Sequence, residues 1–141
     1  MNTQQLIVKL REKGFKVTPQ RLAICEFVLS SKVHPTVDQV YQEVQKKHLT
    51  LSLATVYQTL HLLTRIGMLQ DLAVGAGISR YDPDMSPHIN IICTHCGKIQ
   101  DYKSESVRRF LSQITVELKL ALAWQHLELY SYCDQCVKSG T

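Results

Sequence analysis

The chain has 141 residues, of which 45% are hydrophobic, and a formal net charge of +4. This length allows one ordinary domain or two small ones, and small domains are short of core unless a metal ion or a partner subunit stabilises them. No run of 18 apolar residues and no charged-then-apolar leader occurs, so the sequence predicts a cytoplasmic protein that does not enter a membrane.

Basic residues are concentrated in the first half of the chain. Residues 1–65 hold nine Lys/Arg against four Asp/Glu, a balance of +5, whereas residues 66–141 hold seven against eight, a balance of −1. This asymmetry is weak evidence for nucleic-acid binding, because many solvated surfaces are mildly basic.

The basic half has the periodicity of short amphipathic helices. A first helix should end at Gly14, and a second should begin at Thr18-Pro19, with Thr18 as its cap. In the second helix Leu22, Cys25, Val28 and Leu29 form the apolar stripe, which makes Cys25 a small core residue. A third helix should start at the capping box Thr36-Val37-Asp38-Gln39.

A fourth helix is predicted from the cap Ser52 to Gly67, and its apolar face consists of Leu53, Val56, Leu60 and Leu63. The opposite face is short, polar and free of acidic residues, as in a recognition helix of the DNA major groove, although an ordinary solvated face fits it equally well. Basic or polar residues near an earlier helix cap and in a following hairpin could grip phosphate. The candidate DNA contacts are Lys16, Gln20, Arg21, Ser52, Ala54, Thr55, Tyr57, Gln58, His61, Arg65 and Arg80.

After Gly67 the apolar period changes from 3.6 to about 2, which predicts a hairpin over residues 68–74 and 78–82 with a turn at Gly75-Ala76-Gly77. This order of elements, in which a short hairpin follows several helices, is typical of a winged helix-turn-helix. The two prolines of residues 83–87 indicate a hinge. Beyond it we expect strands over residues 89–93, 98–102 and 125–132 and a helix over residues 104–118.

Four of the five cysteines form two matched pairs, Cys93/Cys96 and Cys133/Cys136. Two Cys-x-x-Cys hooks that meet can close a tetrahedral, all-thiolate structural zinc site. The alternatives are two disulfides or one redox-active pair. A reducing compartment disfavours the disulfides, and we expect neither pair to open a helix, as a redox-active pair usually would.

Several of these residues stand in a familiar order, which gives the chain a resemblance to a known family. The motifs are Thr18-Pro19-Gln20-Arg21, His34-Pro35-Thr36, Ala54-Thr55-Val56-Tyr57, Arg80-Tyr81-Asp82, Cys93-x-x-Cys96-Gly97-Lys98 and Leu127-Glu128-Leu129-Tyr130-x-x-Cys133-x-x-Cys136. Over residues 5–136 the chain resembles the ferric uptake regulator family, including its peroxide-responsive members.

The resemblance implies an α+β protein that is a transcriptional repressor and not an enzyme. Residues 1–82 would form a winged-helix DNA-binding domain, residues 83–87 a hinge, and residues 88–141 an α/β dimerisation and metal-binding domain. The implied partners are a second copy of the chain and double-stranded DNA with a near-palindromic operator, without a membrane or a small-molecule substrate. The implied cofactors are structural zinc and a second, regulatory metal ion.

The resemblance places the regulatory metal at His34, Asp82, His88 and Asp101, with Asn90 as a further donor. Two imidazoles and two carboxylates suit Fe(II), Mn(II) or Zn(II). Asn90 stands where the family usually has a second histidine, and this change could weaken binding or favour manganese. A third metal site of some members would fall at Pro87, Ile89 and Gln125, which are poor ligands, so we expect it to be absent.

Aspartate at position 82 resembles the peroxide-sensing branch, in which iron-bound peroxide oxidises ligand histidines. His34 and His88 would be the targets here. The alternatives are iron-, manganese- or zinc-responsive repression without histidine oxidation. A redox enzyme with one active Cys-x-x-Cys pair and a zinc-stapled interaction module are the remaining readings.

Overall fold

The computed structural model describes residues 1–75 and 77–138. The chain divides into two compact units, of which unit 1 comprises Met1–Leu72 and Ser79–Asp84, and unit 2 comprises Ala73–Ile78 and Met85–Thr141. The predicted hinge at residues 83–87 spans the division after Asp84, and the tip of the first hairpin belongs to unit 2.

Unit 1 contains four helices followed by a two-stranded sheet, of which only the residue Ala73 belongs to unit 2. These elements are α1 Thr3–Glu12, α2 Pro19–Ser30, α3 Val37–Gln45, α4 Leu53–Arg65, β1 Gln70–Ala73 and β2 Ser79–Asp82. Strands β1 and β2 pair with each other. The predicted turn residue Ala76 lies outside the described residues.

Side-chain caps begin helices α2, α3 and α4 where the sequence predicts them. Thr18 accepts a hydrogen bond from the amide of Arg21, and Thr36 forms a capping box with Gln39. Ser52 accepts from the amide of Thr55. Each cap satisfies an amide that the helix leaves without an internal partner, which sets the residue at which the helix begins.

The core of unit 1 is formed by helices α1 to α4, the loops that join them and strand β2. Cys25 is buried in it, as predicted. Parts of the predicted apolar faces are wrong: on α4 Leu53 is 40% exposed and Thr59 is buried. On α2, Ile24 is buried, whereas the predicted Leu22 and Leu29 are only half-buried. Leu53 is the first residue of α4, where the helix end faces solvent, and Thr59 donates its hydroxyl to the Thr55 carbonyl, which removes the cost of burial.

Unit 2 is a three-stranded sheet with two helices. Its elements are β3 Ile89–Cys93, β4 Ile99–Tyr102, α5 Glu105–Glu117, β5 Leu127–Ser131 and α6 Asp134–Lys138. The strand order is β4-β3-β5, with β4 antiparallel and β5 parallel to β3. The short helix α6 is absent from the sequence prediction, because five residues are too few for a helical period.

Unit 2 keeps much apolar surface exposed. A groove of about 370 Å³ lies beside α5 and is lined mainly by apolar side chains, among them Val107, Phe110 and Leu129. Phe110 is 57% exposed and Leu129 is 55% exposed. In the described part of the chain, no helix has both the length and the apolarity that membrane crossing requires.

Candidate metal centres and nucleic-acid interface

The four paired cysteines meet at one edge of the sheet in unit 2. Cys93 ends β3 and stands in register with Ser131, the last residue of β5. Neighbouring parallel strands end at the same edge of a sheet, so this register brings Cys133, two residues further on, next to Cys93. Cys96 lies in the turn after β3 and Cys136 lies in α6.

The sulfur spacing fits a tetrahedral zinc ion. The four Sγ atoms all lie within 4.8 Å of one another, and those of Cys96 and Cys133 are 3.7 Å apart. Zinc–sulfur bonds of about 2.3 Å would place two sulfurs of a tetrahedron about 3.8 Å apart, whereas a disulfide requires about 2.05 Å. The cluster therefore fits the predicted four-thiolate zinc site, and no cysteine of the chain is disulfide-bonded.

Backbone amides lower the pKa of two of these thiols. Hydrogen bonds from the amides of Cys96 and Cys133 hold the pKa of Cys93 at about 5, and the Cys133 amide lies 3.4 Å from Cys93 Sγ. The Cys136 amide lowers the pKa of Cys133. Burial raises the pKa of Cys136 to about 12. A metal ion must therefore displace a proton from Cys136, which makes its binding depend on pH.

One sequence argument against a redox enzyme is wrong. We expected neither cysteine pair to open a helix, but α6 begins at Asp134, directly after Cys133. A redox-active pair acts through one activated, accessible thiol with a single resolving partner. Here four sulfurs share one cluster, and this arrangement favours metal binding in spite of the helix.

In unit 1, His34 and Asp82 lie close together and supply two of the predicted regulatory ligands, one imidazole and one carboxylate. His34 Nε2 lies 3.7 Å from Asp82 Oδ2. Asp82 ends β2 and is 2% exposed, and its Oδ1 accepts a hydrogen bond of 2.9 Å from the amide of Asp84. His34 lies in the loop between α2 and α3 with φ +50°, a conformation that costs a non-glycine residue about 1–3 kcal/mol.

In unit 2, the other three candidate ligands lie on or beside the sheet. Asn90 of β3 stands directly opposite Asp101 of β4. Asn90 and His88 are buried, whereas Asp101 is exposed. His88 Nδ1 lies 2.8 Å from the Ser86 carbonyl. A carbonyl can only accept, so Nδ1 carries a proton, and in the neutral imidazole this leaves the lone pair on Nε2, as in many metal-binding histidines.

Helix α4 presents most of the predicted DNA-reading residues to solvent. Ala54, Gln58, His61 and Arg65 are exposed, and Tyr57 is 53% exposed. Ser52 is the cap of the helix, and its hydroxyl lies 2.9 Å from that of the half-buried Thr55. No acidic residue occurs in α4. An uncharged and basic helix face of this kind can approach the negative phosphates of DNA.

Three other predicted DNA contacts take part in hydrogen bonds within unit 1. Gln20 donates to the Thr50 hydroxyl over 3.0 Å. Arg21 donates to the Lys16 carbonyl over 3.2 Å, and its guanidinium lies 5.6 Å from the centre of the Phe15 ring. The third, Arg80, donates to two carbonyls of the loop that contains His34. Lys16 is exposed.

The structure also describes the three residues at which a third metal site would fall, and which the sequence predicts to be poor ligands. Gln125 donates its amide to the Met85 carbonyl over 3.0 Å. Pro87 and Ile89 are half-buried. Neither side chain carries a metal-binding atom.

Comparison with known proteins gives concordant matches along the chain. A model of the ferric uptake regulator family matches residues 12–130. The peroxide-responsive repressor PerR of Staphylococcus epidermidis is 34% identical over 140 residues, which cover 97% of this chain and 91% of that protein. PerR of Staphylococcus aureus is 32% identical over 133 residues, which cover 94% and 90%.

Solved structures show a similar fold. The ferric uptake regulator of Helicobacter pylori superimposes with a TM-score of 0.74 at 21% identity, covering 98% of this chain and 93% of that one. PerR of Streptococcus pyogenes superimposes with a TM-score of 0.53 at 29% identity, covering 95% and 92%. The first of these likenesses concerns the fold alone.

A helical unit, an α/β unit and a four-cysteine cluster that fits zinc together define an α+β metalloprotein. Since the family model covers residues 12–130, the chain belongs to the ferric uptake regulator family.

Proposed function

We propose that this protein is a metal-dependent, DNA-binding transcriptional repressor that senses peroxide, and that it is not an enzyme. The observation that carries the proposal is the extended similarity to proteins named peroxide-responsive repressors, at up to 34% identity over 97% of the chain. The two chemically different sets of candidate ligands support it. One set is all thiol, and the other is histidine, carboxylate and amide.

The thiol set suits a structural role. Zn(II) held by Cys93, Cys96, Cys133 and Cys136 has no open coordination position, so it can neither bind a substrate nor sense one. It would join the ends of β3 and β5 and stabilise the small α/β unit.

The second set suits a regulatory ion. We assign Fe(II) or Mn(II), with Zn(II) as the alternative, to His34 and Asp82 of unit 1 together with His88 and Asp101 of unit 2, and Asn90 supplies a further oxygen. Imidazole and carboxylate donors match these ions better than they match a thiolate-selective one. An ion that binds only one arrangement of the two units shifts their equilibrium towards that arrangement.

The peroxide response would act on the ligands. Fe(II) held by these residues would supply the redox chemistry that activates hydrogen peroxide. His34 and His88 would be the groups oxidised: each peroxide would transfer one oxygen atom to one imidazole and leave as water, and the loss of that ligand would release the ion. Aspartate at position 82 and the relatives named peroxide-responsive favour this reading over metal sensing alone.

For DNA recognition we propose a winged helix-turn-helix in residues 1–82, with α4 in the major groove and the β1–β2 hairpin as the wing. Gln58 can pair with adenine, Arg65 with guanine or phosphate, and Thr55 with a thymine methyl. Two copies joined through residues 88–141 would present two such helices, so the operator should be a near-palindrome. The exposed Phe110 and Leu129 offer apolar surface for this dimer.

Metal-dependent DNA binding by protein purified without oxygen tests the proposal. Zinc-loaded protein should bind operator DNA tightly with Fe(II) or Mn(II) and weakly without a second metal. Equal affinity with and without Mn(II) contradicts metal control. After peroxide, peptides from the Fe(II) protein that contain His34 or His88 should gain an oxygen atom, and the Mn(II) protein should not. If repression responds to metal but no oxygen is gained, the protein is a metal-uptake regulator.

One observation, the amide donor at Asn90, favours a second candidate function, that of a manganese-responsive repressor. Asn90 is buried opposite Asp101 and offers an amide oxygen, which is harder than an imidazole nitrogen. Harder donors favour Mn(II) over Fe(II). Comparison of the two ions in the DNA-binding experiment decides between an iron-based peroxide sensor and a manganese-responsive repressor.

A further inference from the structure

The loop that carries His34 has a strained backbone. His34 has φ +50°, which few non-glycine residues adopt. Proline follows at position 35, and a residue before proline is steered towards extended conformations. A conformation that is disfavoured on both counts persists only where the surrounding structure imposes it.

Arg80 of strand β2 supplies that constraint. Its Nε donates to the His34 carbonyl over 2.7 Å, and its Nη2 donates to the Val33 carbonyl over 2.7 Å. The planar guanidinium has its donors in a fixed fork, so two bonds to successive carbonyls set the orientation of both peptide planes. The fork therefore fixes the peptides on both sides of the His34 Cα atom.

The same strand secures the residues that follow His34. The Tyr81 amide donates to the Pro35 carbonyl over 3.0 Å, and Thr36 forms an isolated antiparallel bridge with Arg80. Asp82 comes two residues after Arg80 on β2, and its Oδ2 lies 3.7 Å from His34 Nε2. One short strand thus provides both the carboxylate and the contacts that direct the imidazole towards it.

We propose that Arg80 is a positioning residue for the regulatory metal, which holds the strained His34 loop so that the ligands of unit 1 are preformed before metal binds. The inference rests on the proposed metal-binding role of His34 and Asp82. It gives Arg80 a different task from the phosphate contact that the sequence suggested. Donors that fix the backbone of a ligand act as other outer contacts of metal sites do, and their loss typically costs 10- to 100-fold in metal affinity.

The sign of the effect separates positioning from simple electrostatics. Arg80 carries a positive charge near a site for a cation, so charge repulsion alone predicts that removing Arg80 strengthens metal binding. Positioning predicts the opposite, because an unrestrained loop leaves the strained conformation. The variant Arg80→Met removes charge and donors and keeps most of the aliphatic stem.

The experiment measures Mn(II) affinity by calorimetry on the zinc-loaded full chain. We expect Arg80→Met to weaken binding about 10-fold or more and Arg11→Met, which removes an exposed arginine of α1, to leave it unchanged. In a His34→Ala background, Arg80→Met should add less than about 2-fold, because the two residues act as one unit. Arg80→Lys keeps the charge without the fork and should lose about 3-fold.

Two results would overturn the inference in distinguishable ways. If His34→Ala weakens Mn(II) binding but Arg80→Met leaves it equal or tighter, Arg80 is not a positioning residue and the proposed metal site stands. If His34→Ala itself has no effect, the proposed metal site fails, and the inference fails with it. Should Arg80→Met not fold, Arg80→Lys provides the test, and an affinity equal to that of the parent protein counts against positioning.

A readout without metal gives an independent check. In the zinc-loaded protein without a second metal, the NMR signals of the His34 imidazole should move in Arg80→Met, because the ring loses its fixed place beside Asp82. The ring of His126, which pairs with Glu128 over 2.8 Å in unit 2, is the internal control. Unchanged His34 signals contradict the proposal.

Discussion

The thiol cluster of unit 2 and the His34–Asp82 pair of unit 1 are built by different means. Parallel pairing of β3 with β5 places the cysteines, so their position is part of the sheet itself. The position of His34 depends on a strained loop that the side chain of Arg80 holds. A site made by strand register is stable whenever the fold is, whereas a site made by a strained loop depends on the contacts that hold the loop. This difference suits a permanent ion in the first and an exchangeable ion in the second.

The largest expected effect comes from breaking the thiol cluster. Cys96→Ser should lose zinc and lower the melting temperature by more than about 10 °C, because zinc binding contributes directly to the folding of a small unit. Calorimetry and zinc analysis measure both quantities. Cys25→Ala is the matched control and should retain zinc, since Cys25 lies in the core of unit 1. Retained zinc in Cys96→Ser would contradict the four-thiolate site.

The second effect tests whether the His/Asp set is dispensable for folding. Asp82→Ala should weaken Mn(II) binding at least about 10-fold and abolish Mn(II)-dependent DNA binding at micromolar metal, while the zinc content stays the same. Titration calorimetry and gel shifts measure these changes. Asp71→Ala removes an exposed carboxylate from β1 and should behave like the parent protein. A loss of zinc in Asp82→Ala would mean that the two sites are not separate.

A smaller effect concerns the proposed DNA-binding surface of α4. Gln58→Ala should weaken operator binding by about 1–3 kcal/mol and relax the preference at one base pair, because a paired glutamine distinguishes adenine from other bases. Gln42→Ala, an exposed glutamine on α3, should have no effect. Binding is compared at one fixed salt concentration. An equal loss for every base at every position would assign Gln58 to phosphate contact.

The smallest effect contrasts Cys25 with the cluster thiols. Burial raises the pKa of Cys25 to about 12 from its usual 9, so the folded protein favours the neutral thiol. The stabilisation from this group is fully present below pH 9 and is lost as the pH rises from about 9 towards 12. After zinc is chelated, iodoacetamide at pH 8 should alkylate Cys93 and Cys133, whose pKa values backbone amides lower, and leave Cys25 unmodified, as mass spectrometry can verify. Early alkylation of Cys25 would show that the core of unit 1 opens readily.

Local signals in the sequence predict much of the secondary structure. Thr18, Thr36 and Ser52 begin their helices because a side-chain oxygen satisfies an amide within three residues, an interaction that depends on no distant residue. The doubled Cys-x-x-Cys spacing indicates the cluster, because each pair brings two sulfurs to one turn. The exposure of Leu53 and the helix after Cys133 were missed because the ends of elements depend on neighbours that a periodic pattern does not contain.

The sequence by itself determined the starts of α2, α3 and α4, the core cysteine and the composition of the thiol cluster, since those follow from residue types and short spacings. The His/Asp ligand set is a prediction from the family resemblance. Only the tertiary structure decided how the cysteine pairs meet and how the loop of His34 is held. Strand register joins the two cysteine pairs across some 40 residues. The fork of Arg80 reaches carbonyls 46 and 47 residues earlier in the chain. Hydrogen bonds at such separations depend on the folded path of the backbone, and no local pattern encodes them.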